Sequence, residues 1–391
     1  YLQGGGSRIF GTERKDPSEN VLLIAPELKP VVFITHMEHH SNHISWLETI
    51  VDLEIIRQTK DGLVDLAHLG ALLKKYKNRI HKIASVTACS NVTGIKTPYR
   101  EIAKILHAEQ GLCFVDFACS APYVEMDMHP VNEPGGHLDA IFLAPHKFLG
   151  GPGSAGVVIF NSNLYTNQAP DQPGGGTVTY TSPWNIYKYI SDIEGREDGG
   201  TPPFLQGIRA ALAVKLKEEM GVANILAREK VLVDFLLEGL QKIPNLVVLA
   251  AQHVDRLGVI SFYIEELHYN LGVRILNDRF GIQTRGGCAC AGTYGHYLLE
   301  VGQATSFKIM DELVQGDNTN KPGWIRLSIH PTMTDAEGAR LLSAIAELAR
   351  QFQAWSIDYR YDSKTNEFAY RGGGAAPSLE SARVRDWFNN A

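Results

Sequence analysis

Short apolar runs alternate with stretches of helical spacing over the first part of the chain. Residues 31–35 (VVFIT) read as a strand that runs into HMEHHSN, and a helix is expected after Asn42 with Ser41 or Asn42 as its cap. Residues 53–58 alternate as a strand does, and 65–76 (DLAHLGALLKKY) carry helical spacing behind a capping Asp65. A strand at 83–87 leads into the loop ACSNVTG, an amphipathic helix covers 99–107, and the strand at 112–115 ends at Asp116. A further apolar strand at 138–143 meets a Gly/Pro-rich turn, followed by a β-branched strand at 156–160. Such alternation predicts an α/β fold with a mostly parallel central sheet covered on both faces.

The pattern loosens over 174–198, an aromatic-containing segment expected to be mobile or to form an interface. Thr201-Pro202-Pro203 is read as the cap of a helix reaching about Met220, and a second helix covers 222–242. Beyond 245 the chain reads as α+β: strands at 246–250, 258–264 and 324–329, and helices near 267–280 and over 335–352, the last with Asp335 near its cap. The expected division is a large α/β domain over 1–220, a smaller C-terminal α+β domain over 221–355 and an extension over 356–391, whose Gly-rich end is either surface-bound or disordered.

The 391 residues are 44% hydrophobic, enough for a sizeable core. A net charge of −6 with no basic cluster argues against nucleic acid or an anionic membrane as partner. No apolar run is long enough to cross a bilayer. Five cysteines in so long a chain suggest free thiols in a reducing, cytoplasmic setting. The chain begins with Tyr1 and a polar, Gly-rich stretch, so an upstream portion is expected to be missing.

The candidate chemistry falls just past the C-terminal ends of strands, at His39, Asn91, Asp116 and Lys147, where open α/β sheets hold ligands. Lys147, read as lying between buried strands, is costly there unless its amine is used, and an imine with an aldehyde is one use; a solvated turn lysine is the alternative. Asp116 at a strand end suits a pyridinium nitrogen, or else a turn. The cluster His36, His39, His40 and His43 invites a metal reading, set aside because it begins in or just after a strand, and no residue is assigned to a metal. RGGCACAGTYGH carries Cys288 and Cys290 beside Arg285, an arginine that could favour a thiolate, and its glycines suggest a loop free to swing. Arg326, inside a strand, calls for an anion, either a substrate carboxylate or a structural partner.

With these residues assembled, the chain resembles the class V aminotransferase-like family of fold-type I pyridoxal-phosphate enzymes. Within that family it is most similar to group II cysteine desulfurases and selenocysteine lyases. The resemblance runs from about Val31 to Phe352 and rests on MEHHSN, SNVTG, Asp116, His146-Lys147, GGTPP, Arg326 and RGGCAC. It implies pyridoxal 5'-phosphate as cofactor, with His39 stacked on the ring, Asn91 near the ring hydroxyl, Asp116 at the ring nitrogen, Lys147 as Schiff base and His146 on the phosphate side. Thr201 would be lent to the other subunit's site in a homodimer, while Arg326 and Arg285 would bind the substrate. Cys290 would form a persulfide, with Cys288 a nearby thiol. The implied reaction takes sulfur or selenium from a cysteine-type amino acid, through an external aldimine, to give alanine; a sulfur-acceptor protein is a further expected partner.

This chain departs from the family pattern in three places. Cys119 stands where a glutamine is usual, Ala144 stands where a serine is usual, and the upstream threonine-rich phosphate loop is absent. These departures leave two other readings open, a pyridoxal-phosphate aminotransferase or epimerase of another amino acid, and a truncated non-catalytic homologue.

Overall fold

The computed structural model describes residues 27–372. They form two compact units, the first made of the described residues up to Ser90 together with Lys96–Leu226, the second of Asn91–Ile95 and the described residues from Ala227 onward. The chain passes from the first to the second within the helix Val222–Leu240. Among the described residues no helix is long and apolar enough to cross a membrane.

The first unit is built on a six-stranded sheet in the order β2-β1-β3-β4-β5-β6. Its strands are β1 (Val31–Thr35), β2 (Asp52–Ile56), β3 (Lys82–Thr87), β4 (Leu112–Asp116), β5 (Ala140–Leu143) and β6 (Val157–Phe160). All pairings are parallel except that of β5 with β6. This is the mostly parallel sheet that the alternating pattern predicts. The helices Leu66–Lys75 and Tyr99–Ala108 bury Leu69, Leu72, Ile102 and Leu106 against one face, where they meet Phe33, Val86 and Val115. Asp65 caps the first of them, accepting from the His68 N–H at 2.9 Å, as its position in DLAHL suggests.

The opposite face differs from expectation. Val32, Ile34 and Ile83 are buried there, but Leu53, Ile55, Leu112 and Phe114 are only partly covered by described residues. The strand read as buried after the lysine turn, β6, is the sheet edge: Val158 is 51% and Ile159 49% exposed. A β-branched run records a preference for extended backbone and carries no signal of which strands stand beside it.

Local starts differ too. Ile44–Leu47 is a single turn whose cap, His43, makes no side-chain bond, and Ser41 and Asn42 lie in the preceding 3-10 turn His40–Asn42. The helix Phe204–Met220 begins at the N-cap Pro203 with no side-chain cap, so Thr201 does not serve as one. The segment read as loose holds a short hairpin, β7 (Val178–Thr181) with β8 (Tyr187–Tyr189).

The second unit contains an antiparallel sheet in the order β11-β12-β10-β9, comprising β9 (Leu246–Val248), β10 (Val259–Ile264), β11 (Arg285–Gly287) and β12 (Trp324–Ser328). The helices Val222–Leu240, Tyr269–Phe280 and Asp335–Ser356 cover it, burying Leu236, Ile275, Ile345 and Leu348. The last helix is capped by Thr334, not Asp335, in a reciprocal box with Glu337. Two helices that the Gly-rich and polar sequence concealed, Gly292–Leu298 and Gln303–Val314, complete the α+β layer. The extension forms a hairpin, β13 (Tyr359–Asp362) with β14 (Glu367–Tyr370), and the rest of its Gly-rich end lies outside the described residues.

The segment Asn91–Ile95 is built into this second unit. The Val92 carbonyl accepts from Ser261 Oγ at 2.7 Å, and the Leu257 N–H reaches the Gly94 carbonyl at 2.8 Å. Gly94 has φ +71°, and a Cβ there would stand 2.4 Å from the Leu257 carbonyl oxygen. Both features require glycine. Gly94→Ala is therefore expected to destabilise the second unit by about 2 kcal/mol or more, read from the denaturant midpoint; an unchanged midpoint would contradict this packing.

Candidate active site

Strands β1, β4 and β5 of the first unit deliver HMEHHSN, DFACS and PHK to the same C-terminal edge of the sheet. The most deeply buried acid there is Glu38, 2% exposed, which sequence reading passed over in favour of the four histidines around it. Its Oε1 accepts from Thr35 Oγ1 at 2.6 Å, the Thr35 N–H at 3.2 Å and the Thr87 N–H at 2.9 Å; its Oε2 accepts from Asn42 Nδ2 at 2.7 Å. These bonds tie the ends of β1 and β3 to the turn that carries His39. Burial pushes the Glu38 carboxyl up to about 7, opposed by the Thr35 hydroxyl, the Thr87 N–H and the Asn42 amide and helped by the nearby charge of Asp116.

Asp116 ends β4. Its Oδ1 accepts from the Ala118 N–H at 2.8 Å, and Oδ2 meets no hydrogen-bond donor among the described residues. Desolvation raises its carboxyl above the usual range, while the Ala118 N–H and the Lys147 charge hold it down. Lys147 and Asp116 therefore feel one another across the same edge of the unit. Lys147 sits in the 3-10 turn Pro145–Lys147, its N–H bonded to the Ala144 carbonyl at 2.9 Å. The expectation of a buried amine is corrected: Lys147 is exposed, because the chain leaves β5 through this turn and the following strand is the sheet edge. Gly151 keeps the turn tight, since a Cβ there would lie 1.9 Å from the Pro145 carbonyl oxygen.

His39 is half-buried and caps the turn after it, its Nδ1 accepting from the Ser41 N–H at 3.1 Å, so a neutral ring carries its proton on Nε2. His36 turns away to the Gly62 carbonyl at 3.2 Å, and burial depresses it to about 4. Burial also lowers His40 and His43. Cys119 is half-buried, its thiol 3.9 Å from the Ser90 carbonyl oxygen, and His146 and Thr201 are exposed.

In the second unit the predicted mobile loop is corrected. Arg285–Gly287 is strand β11, paired to β12, and a Cβ on Gly286 would meet Asn270 Oδ1 at 2.3 Å. These glycines allow close packing where sequence reading inferred freedom to swing. The cysteines follow in a turn where Ala289 (φ +52°) and Cys290 (φ +60°) are both left-handed, an uncommon conformation for residues with a Cβ. Arg285 Nη2 donates to Cys290 Sγ at 3.0 Å. Cys288 is also a half-buried free thiol. Asn91 Nδ2 donates to the Ala289 carbonyl at 2.7 Å, and Arg326 Nη1 donates to the Asn91 carbonyl at 3.1 Å. The SNVTG segment, the cysteine turn and Arg326 thus form one bonded assembly.

Comparison with known proteins gives the family. The aminotransferase class-V model matches residues 20–341, and the chain belongs to that family. It is 28% identical to a cysteine desulfurase of Haloferax volcanii over 73% of its own length and 66% of that protein. It is 30% identical to a probable cysteine desulfurase of Halalkalibacterium halodurans over 66% of its length and 61% of that protein. The chain thus spans about two thirds or less of the curated relatives it matches. The apo cysteine desulfurase of Thermococcus onnurineus superposes with a TM-score of 0.66 at 26% identity, covering 86% of this chain and 78% of that one. The fold-type I architecture and the likeness to cysteine desulfurases are as the sequence motifs implied.

The family uses pyridoxal 5'-phosphate, and the residues present fit it. Asp116 Oδ2 is a carboxylate oxygen lacking a protein donor, as the N–H of a pyridinium requires, and Lys147 makes no ion pair among the described residues. Because the raised Glu38 carboxyl holds its proton more tightly in the folded chain, its stabilisation is complete below about pH 4.5 and is lost as pH rises through about 7. Wild type is expected to lose roughly 3 kcal/mol more than Glu38→Gln across that window, from urea midpoints at both pH values; parallel profiles would contradict it. Arg285→Met should slow alkylation of Cys290 by iodoacetamide severalfold, followed by peptide mass spectrometry, and an unchanged rate would count against the guanidinium–sulfur contact.

Proposed function

We propose that the chain is a pyridoxal 5'-phosphate-dependent, cysteine desulfurase-like enzyme. Its reaction removes sulfur, or selenium, from a cysteine-type amino acid and leaves alanine. The observation that carries this reading is a thiol held under a guanidinium, Cys290 under Arg285, in a chain whose Asp116 and Lys147 suit the cofactor. The names of its relatives support the substrate. One solved neighbour of the same fold has glycine covalently linked to its PLP-cofactor, which supports the cofactor.

When bound, the cofactor supplies a sink for the electron pair released at the substrate's α-carbon. Lys147 Nζ would hold the cofactor's aldehyde carbon and carry a proton once released from it. The Asp116 carboxylate would keep the ring nitrogen protonated, and the proton on His39 Nε2 suits that ring to a shuttle role. Arg326, with Arg285, would receive the substrate carboxylate. The Cys290 thiolate would attack the substrate sulfur; a sulfur–sulfur bond replaces the substrate's carbon–sulfur bond, and the carbon left behind takes a proton to complete alanine. The resulting persulfide would pass its sulfur to an acceptor, with Cys288 a neighbouring thiol.

A homodimer fits the first unit's surface. Phe204, Leu205, Ile208 and Leu212 on one helix are 56–78% exposed, an apolar face suited to a second copy. Thr201, just upstream, would then serve the other subunit's phosphate.

The full chain incubated with pyridoxal phosphate and L-cysteine should release alanine and sulfide. Cys290→Ala should lower alanine formation at least about a hundredfold, the scale for removing a nucleophile. Cysteine left unconsumed by the holoprotein, or a Cys290→Ala variant as active as wild type, would overturn the proposal.

A further inference from the structure

The opposite, N-terminal end of the same parallel strands carries a cluster that the proposed reaction does not use. His107, near the end of the helix Tyr99–Ala108, His137, in the loop before β5, and Asp139, immediately before β5, bring their ligand atoms within 4.8 Å of one another. Asp139 is buried, the His107 side chain is 12% exposed, and His137 is exposed. We propose that these three side chains form a binding site for a divalent transition-metal ion of the zinc type, with water completing the coordination.

The hydrogen bonding of His107 points to a cation. Its Nδ1 lies 2.6 Å from the Gly135 carbonyl oxygen, which only accepts, so Nδ1 carries a proton. Its Nε2 faces Asp139 Oδ2 at 2.9 Å, and that oxygen already accepts from the Cys113 N–H at 2.8 Å. In a neutral ring the Nε2 lone pair would point at a carboxylate lone pair. Either a proton shared between the two groups or a metal ion must stand between them. The Nδ1–H to carbonyl bond is the outer support that metal-bound histidines use to fix ring orientation and raise ligand basicity. The Nε2 to Oδ2 separation is already about that of two ligands on one ion, ~3 Å.

His137 stacks on His107 with centroids 3.7 Å apart and planes 3° from parallel. Parallel rings cannot both point at one ion, so binding requires His137 to rotate off the stack. Its exposure allows this at little packing cost. Two imidazoles and one carboxylate suit zinc, cobalt, nickel or copper better than magnesium or calcium. Because the ligands join the helix end to the start of β5, the ion would act as a clasp on the first unit and leave the chemistry at the other edge untouched.

Cobalt(II) alone, titrated into the pyridoxal-phosphate-loaded full chain, tests this through its visible ligand-field spectrum and by calorimetry. The expected result is a single ion bound through nitrogen and oxygen, without a sulfur-to-cobalt charge-transfer band. Affinity should fall at least about tenfold in His137→Ala, whose far-UV circular dichroism and basal activity match wild type. Asp139→Asn, which keeps an oxygen for the Cys113 N–H, should lose affinity likewise. Cobalt should raise the thermal midpoint of wild type by more than that of His137→Ala at the same concentration. Equal binding by wild type and His137→Ala, no binding, or a spectrum carried only by the thiolate band would overturn the proposal and leave a hydrogen-bonded His107–Asp139 pair.

Discussion

Two carboxyls withdrawn from water at one edge of a parallel sheet, Glu38 and Asp116, set the terms for the rest of the first unit. Burial raises both, and the charge of Asp116 raises Glu38 further. Glu38 is satisfied by four donors that join β1, β3 and the His39 turn. Asp116 has one donor and the through-space charge of Lys147. A fully paired acid thus fixes the frame, and an underpaired one beside it is the acid that the proposed function assigns to the cofactor ring. That division explains how a surface edge presents a single carboxylate oxygen without spending fold stability on both.

The second unit uses strain and close packing to the same end. The left-handed pair Ala289–Cys290 is held by Asn91 on one side and follows the β11–β12 ladder on the other, from which the Arg285 side chain reaches the sulfur. In the proposed reaction this rigid placement would present the Cys290 thiol to substrate with a guanidinium already at its side.

Much of the frame was legible because buried parallel strands are near-continuous apolar runs: β1, β3, β4 and β5 were readable for that reason. The capping Asp65 and the ordered motifs from MEHHSN to RGGCAC were equally plain. Other features were not, for identifiable reasons. Glu38 lies in a histidine-rich turn, and its importance comes from Thr87, which is remote in sequence and adjacent only through strand pairing. Lys147 looked buried because β6 is β-branched, yet whether a strand is central or an edge depends on its neighbours. Gly286 and Gly287 looked like hinge residues, whereas Asn270 and Tyr269 pack where a Gly286 side chain would be and Gly287 has φ +98°. The His107–Asp139 pair is separated by a helix-to-strand connection that no local pattern spans.

The account's central claim is that Lys147 and Asp116 grip opposite ends of one aldehyde-bearing pyridine ring. The visible absorption of the chain reconstituted with pyridoxal phosphate, compared with Lys147→Ala and Asp116→Asn, tests it most directly. The account predicts an imine band in wild type that vanishes in Lys147→Ala and shifts, with its pH dependence, in Asp116→Asn. An identical band in all three proteins would contradict it.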